Sequence, residues 1–551
     1  MGDTDVLVVG AGPVGLTAAA ELRRRGADCR IVDRLAAPQP YAKAVGIQPR
    51  TLEVWDAMGA GLLRRVLDEA VPMRGQLTYV DGAAGPRIDM ELPADVPYGF
   101  AALPQYATER LLAEHLAGYG VAVERGSELV GLEQMDGYVR ASLTTAGGGE
   151  EVSAQYVVGC DGAHSRVRRA AGIGFEGDAF PEQYMLGDVE VDWDLPEGYA
   201  VRSTTGGGDV LVCIPLPGRR RYRMSMLVPP ELDAGSAVGA SGEVAHGLER
   251  GRAPELRHIQ DVLDRLAPQP TRAGALRWSS VFRISHRLAD RYRDGRIFLA
   301  GDAAHIHPPT GAQGMNTGVQ DAYNLAWKLA LAVRGLAADE LLDSYHAERR
   351  PVGEEVVGRT VRHARAGLDA DRDDLATLLL REAQLLVNYR GGPLAEPGRG
   401  AGPDAALPGD LAPGDLIPGD RAPDCAGLER PLVSFRVRLF DLLRGPNHVL
   451  LLYAGAGTGV EPESLHASAE AARSATHGLL DTYVVLAADA VRPEGLLLPH
   501  VRDADGAFRA AYAAADGEAF VIRPDGYLGA RLPAAAPARL AAHLRRTFAA
   551  A

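Results

Sequence analysis

Lysine is nearly missing from this 551-residue sequence: it occurs only at Lys43 and Lys328, so almost all positive charge is arginine, a bias of codon usage rather than of mechanism. The formal net charge of −14, with no basic run interleaved with aromatic residues, excludes a surface built to neutralise nucleic-acid phosphates. Cysteine is scarce as well. Cys29, Cys160, Cys213 and Cys425 lie far apart, which excludes the paired spacings of zinc sites and redox dithiols and predicts four free thiols and no metal. No uninterrupted apolar run reaches the roughly 18 residues that suggest a membrane span. The chain enters a buried-strand pattern at once, without the basic start, apolar stretch and small-residue cleavage site of an export signal. A cytoplasmic protein with neither nucleic-acid nor membrane partners is expected.

What is present has an ordinary globular balance, 46% hydrophobic and 24% charged, in a chain long enough for about three domains. Residues 5–33 read as strand, glycine turn, helix, strand: DVLVVG is continuously apolar, GPVGLTAAAELRRRG is helical and CRIVDR is a second strand. Helical stretches begin near Thr51 and Thr108, separated by an irregular segment punctuated by proline and glycine. From about 181 to 282 short alternating segments such as DVLVCIPLPG and RYRMSMLVP predict an antiparallel sheet. Residues 296–335 return to strand, loop and long helix, so the nucleotide-binding unit is expected to be discontinuous. Gly, Pro and Asp crowd residues 391–424, as in a linker, and the remainder reads as a small α/β domain closed by the helix PARLAAHLRRTFAA. The expected division is 1–180 and 283–390 for the nucleotide-binding unit, 181–282 for a substrate-covering sheet, 391–424 for the linker and 425–551 for the last domain.

Gly10, Gly12 and Gly15 form GxGxxG between the first strand and helix, and Asp33 ends the next strand 18 residues after Gly15. The first glycine permits a tight turn, the second lets backbone approach a pyrophosphate and the third lets helix pack on strand; the helix N-terminus then stabilises phosphate charge. Asp33 would accept hydrogen bonds from an adenosine ribose. FAD and NAD present the same ADP half, so this motif does not separate them.

The segment GRIFLAGDAAHIHPPTGAQGMNTGVQDAYNLAWKLALAVRG, residues 295–335, is the most specific feature of the chain. Val319, Ala322, Leu325, Ala326, Leu329 and Val333 fall on one face of a helix that Gly335 would terminate, with its N-terminus near Gly311 to Asn316. Amides and dipole at that end suit the negative charge of a reduced flavin. Asp302, closing the strand RIFLAG, would accept hydrogen bonds from ribityl or ribose hydroxyls.

The run GDAAHIHPPTGAQGMN resembles the second flavin-binding signature of the class A FAD-dependent aromatic hydroxylases, the family of para-hydroxybenzoate hydroxylase and phenol hydroxylase. YVVGCDGAHSRVRR, residues 156–169, resembles the family's Asp-Gly motif, and LPQYATERLL and LLDSYHAERRPVG extend the likeness over about residues 1–365. YAKAVGIQPRTLE is closest to the phenol and polyketide hydroxylases. The resemblance implies an α/β fold with a Rossmann-like FAD domain, a β-sheet substrate domain and a C-terminal thioredoxin-like domain, here lacking any cysteine pair. It implies monooxygenation of an aromatic substrate, a polycyclic polyketide by that likeness, with FAD, NADPH or NADH, and dioxygen. Baeyer–Villiger oxygenation of a related ketone is the alternative; a flavin reductase or an inactive flavin-binding protein ranks lower. The isolated Trp55, Trp193, Trp278 and Trp327 lack the paired motif of flavin halogenases.

Position by position, the resemblance assigns Asp33, Arg34, Arg50 and Gln105 to the adenosine and phosphate end of FAD, and Asp161 to a strand–helix junction near the pyrophosphate. Asp302, Gly314, Met315 and Asn316 would contact the ribityl chain and isoalloxazine, and Pro309 would line the reacting face. Gln313 replaces a lysine of para-hydroxybenzoate hydroxylase and loses a positive charge. His305 and His307, with no third ligand nearby, read as structural or solvent-facing. Tyr41 to Gln48 reads as a loop beside the flavin or as plain surface. No catalytic side chain emerges, and a homodimer stays open.

Overall fold

The computed structural model describes residues 3–40, 44–232, 247–248, 253–366, 374–396, 416–455 and 461–550. Its first sheet grows from β1 (Thr4–Val9), whose apolar run Val6–Val9 is buried, as in a parallel strand covered on both faces. It pairs in parallel with β2 (Cys29–Asp33) on one side and with Gly148–Gly159 on the other. Between β1 and β2 runs α1 (Pro13–Arg24), opened by a proline whose fixed φ suits the first helical position. The chain rejoins this sheet at Glu124–Arg125, beside β2, and at Ile297–Leu299, beside Gly148–Gly159. Three distant stretches therefore share one parallel core.

The second sheet runs Gly247–Leu248, Ala273–Ala289, Phe175–Val191, Arg221–Leu227, Val210–Pro215, Tyr199–Thr204, Gly75–Val80 and Ala83–Asp89. Alternation gives it two faces. Met185, Val201, Leu211, Cys213, Met224 and Met226 pack against the helix Leu256–Leu266, and the opposite face forms the floor of a large cavity. The hairpin 75–89, within the segment expected to be irregular, joins this sheet by a parallel pairing of Gly75–Val80 with Tyr199–Thr204. Its outer strand is exposed and carries Pro86, the pattern of an edge that few apolar side chains announce.

The third sheet sets His448–Ala454 between Leu480–Ala487 and Glu518–Ile522, with the helices Pro462–Ala475 and Pro537–Leu544 packed together beside it. All four cysteines are unpaired. Burial pushes the Cys29 thiol up to about 12, and that of Cys425 higher still, as expected of inert thiols. This last unit docks on its own chain through charged contacts: Arg444 on Asp56, Arg421 on Glu53, and Arg523 on Glu348 at 2.6 Å. Of the segment 391–424 expected to be a linker, 397–415 lies outside the described residues, whereas Ala422 belongs to the core of the last unit and Leu416 packs against it. Among the described residues no helix is long and apolar enough to cross a membrane.

Candidate functional site: a two-helix cavity above a sheet floor

Two helix N-termini converge on one cavity of about 1170 Å³. The first is α1, whose N-cap Gly12 offers no side chain to its free amides; Gly12, Pro13 and Val14 line the cavity. The second is the helix Gln313–Val333, whose N-cap Ala312 is left-handed and also leaves its amides without a side-chain cap. Gly311, Ala312, Gly314 and Met315 line the cavity there. Both ends present orphan N–H groups and the positive pole of the helix dipole to the same space, a donor set for anionic groups at two separated points.

The glycine turn is built for close approach. Gly10 has φ +102°, and a Cβ there would lie 2.4 Å from the Cys160 carbonyl oxygen. A Cβ on Gly12, by contrast, would meet nothing within 4 Å. Open space beside uncapped amides suits a group that needs close backbone approach, such as a pyrophosphate, so the residues present fit FAD. Asp33 accepts from the backbone N–H of Ala11 and Leu35, each at 2.8 Å, and so fixes the turn. Arg34 is exposed beside it.

Asp161 accepts from the Ser165 hydroxyl and from the Arg166 and Val167 amides, at 2.6 and 3.1 Å for the amides, capping the short helix Arg166–Ala170. Burial pushes its carboxyl up, and these hydrogen bonds pull it back only in part. Gln105 lines the cavity while its carbonyl holds the Ala44 amide at 3.0 Å and its amide donates to Glu109. Asp302, Pro309, Gly314 and Met315 lie in the cavity wall.

Asn316 is fully buried behind that wall. Its Nδ2 donates to the Gly46 carbonyl at 3.0 Å and its Oδ1 accepts from the Gln48 amide at 2.9 Å. It thereby staples the helix to the segment 44–48, which lines the cavity rather than the outer surface; residues 41–43 lie outside the described residues. Asn316→Ala strands the Gln48 N–H and should cost about 1–3 kcal/mol. The thermal midpoint of the apoprotein measures this, and a loss below about 0.5 kcal/mol would show that the staple carries no weight.

Arg50 is not brought to the cavity. Its guanidinium donates to Glu53 and to the Asp525 carbonyl, both at 2.7 Å, and lies over the Tyr527 ring. The docked last unit claims it, an arrangement that no local motif announces.

His305 and His307 are both buried, which removes the solvent-facing reading. His305 Nε2 meets Asp321 at 2.7 Å, and the other Asp321 oxygen accepts from Arg349 Nε at 2.7 Å. Burial opposes the Asp321 charge, yet Arg349 and His305 hold its carboxyl below the usual range. Asp321 also accepts from the Gly301 amide at 3.0 Å, so this network fixes the loop carrying Asp302. Burial, with His305 beside it, lowers His307 to about 4 and keeps its ring neutral. Among the described residues no group of three or more His, Cys, Asp or Glu could hold a metal. Asp321 and Arg349 were missed in the sequence, although an acid inside an apolar helix and the pair Arg349–Arg350 after Glu348 were visible signals.

The site has relatives. A family model described as FAD binding domain matches residues 3–360. The chain is 35% identical to 6-methylpretetramide 4-monooxygenase of Streptomyces rimosus, over 96% of this chain and 90% of that protein. It is 32% identical to pentachlorophenol 4-monooxygenase of Sphingobium chlorophenolicum, over 96% and 94%. The solved ternary complex of aklavinone-11 hydroxylase with FAD and aklavinone superimposes with a TM-score of 0.79 at 26% identity, covering 99% of each chain. The matched FAD-binding model, the full-length relatives and the uncapped helix ends around one cavity place this chain in the family of FAD-dependent aromatic monooxygenases.

Proposed function

We propose that this enzyme hydroxylates a polycyclic aromatic substrate of the polyketide type, with NADPH or NADH as reductant and dioxygen as oxidant. One observation carries the reading: the cavity that meets both uncapped helix ends continues onto a broad apolar sheet floor, leaving room for a flat ligand beside a flavin ring. Val210, Val212, Ile214, Leu186 and Ile284 supply that floor, and Phe100, Phe180 and Phe282 add aromatic faces. The names of the relatives, among them a pretetramide monooxygenase, point the same way.

Bound FAD supplies the redox and oxygen chemistry. The chain supplies placement and charge. Gly10, Gly12 and Gly15, with Asp33 behind them, would hold the adenylate and pyrophosphate; Asp302 would take ribityl hydroxyls. The Gly314 and Met315 amides would stabilise negative charge at one end of the ring system. Pro309 would face the reacting side, and the apolar floor would keep water away from it.

The test is product analysis of purified enzyme with each nicotinamide, isotopically labelled dioxygen and a panel of tetracyclic phenols. One labelled oxygen atom in a hydroxylated product is expected. Nicotinamide oxidation with no labelled product from any member would contradict the reading.

A further inference from the structure

The floor carries two cations among its apolar side chains, Arg202 and Arg223, and the two are not equivalent. Arg223 is almost fully buried and forms a bidentate pair with Asp188, at 2.5 and 3.1 Å, with the Trp278 ring stacked on its guanidinium. Its charge is answered within the protein. Arg202 projects from Tyr199–Thr204 on the cavity face, between Ala200 and Thr204, while its neighbours Val201 and Ser203 turn to the buried opposite face. Across the sheet it lies level with Thr78, Val212 and, one strand further, Ser225, none of them acidic.

Among the described residues Arg202 has no hydrogen-bond acceptor, ion-pair partner or ring partner. Four carboxylates line the cavity, Glu182, Asp209, Asp302 and Glu382, and none of them pairs with Arg202; Asp209 pairs with Arg265 at 3.7 Å and Glu382 accepts from Gln313 at 2.9 Å. A guanidinium stays protonated at any accessible pH. Half-buried on the cavity face with no counter-charge from the protein, it presents a fixed positive charge and free N–H donors to whatever ligand occupies the cavity.

We propose that Arg202 is the specificity residue that selects a substrate bearing an anionic oxygen: a deprotonated acidic phenol, an enolised β-dicarbonyl or a carboxylate on the flat ring system. This rests on the proposed polycyclic aromatic substrate and narrows it. Arg223, already neutralised by Asp188, has only spare N–H donors to offer and suits a neutral carbonyl or hydroxyl. Two strand spacings and one pleat separate the two arginines by about 11 Å between Cα atoms, so they would grip opposite ends of a fused polycycle.

The test uses the oxidised FAD holoenzyme and two probes of nearly the same shape, anthraquinone-2-carboxylate and anthraquinone-2-carboxamide, titrated by the change in flavin absorbance. Wild type should bind the carboxylate about tenfold or more tightly than the amide. R202M should lose that preference while keeping its affinity for the amide and its FAD spectrum, and R202K should keep part of it. Equal binding of both probes by wild type overturns the assignment without any variant, and so does an undiminished preference in R202M. Binding of neither probe overturns the polycyclic substrate reading itself, a different failure.

Discussion

Gly12→Ala should give a protein that folds normally and holds FAD poorly, whereas Gly15→Ala should damage both fold and cofactor binding. The two glycines sit three residues apart in one motif but do different physical work. Gly12 has φ −75°, which any residue adopts, and a Cβ there enters open space. Apoprotein stability should therefore fall by only about 1 kcal/mol, the cost of replacing glycine by alanine, a poorer N-cap. The added methyl occupies the cradle that a pyrophosphate needs, so the FAD dissociation constant should rise at least about tenfold, equivalent to about 1.4 kcal/mol. At Gly15 a Cβ would lie 1.9 Å from the Gly10 carbonyl oxygen, a backbone atom that cannot swing aside. α1 must then move off β1, at a cost of about 1–3 kcal/mol beyond any gain in helix propensity. Thermal melts of both apoproteins with parallel FAD titrations separate the cases; normal FAD binding by Gly12→Ala would remove the pyrophosphate from this turn.

Arg349→Met should be the most destabilising single change near the flavin loop, at about 3–5 kcal/mol, because it leaves the Asp321 carboxylate buried with its main counter-charge gone. In the wild type the Asp321 pKa is depressed on folding. Its contribution to stability is therefore complete above the unfolded carboxylate range near 4 and is lost only as pH falls through the lower folded value. In the variant burial dominates and the carboxyl is pushed up, so the sign reverses: the deficit grows as pH rises and shrinks as Asp321 is protonated. Denaturant midpoints at about pH 5 and 7 should show a smaller gap between variant and wild type at the lower pH. A gap that is constant, or wider at pH 5, would show that Arg349 acts through packing rather than through Asp321. The altered loop at Gly301 should also weaken FAD binding, since Asp321 holds that amide.

What the sequence disclosed and what it hid divide along physical lines. Gly10, Gly12, Gly15 and Asp33 are spaced by local geometry, and the signature 301–316 is contiguous, so the two helix ends were readable before any fold was known. The continuous run of β1 and the alternation of Arg221–Leu227 show directly which faces are covered. Residues whose partners come from far along the chain were not readable. Arg50 matches a cofactor-end position by resemblance, yet Asp525, 475 residues away, takes its guanidinium. The hairpin 75–89 ends in an exposed outer strand that carries Gly85 and Pro86, which leaves little periodicity to detect. Gln313, read as the loss of a positive charge, is buried and donates to Glu382 while accepting from Gln384, tying the helix Leu375–Glu382 to the cavity rim. Lys328 was seen as one of two lysines, but its burial against Glu348 at 2.7 Å, part of the cluster that receives Arg523, depended on tertiary docking.

Flavin binding here requires that residues near Gly12 and residues near Gly314, more than three hundred positions apart in sequence, close on a single cofactor. Flavin released by denaturing the purified protein, identified by chromatography and quantified per chain, tests this most directly. One FAD per polypeptide, present on purification or after reconstitution, is the predicted result. A colourless protein that takes up no FAD when supplied with an excess would contradict it.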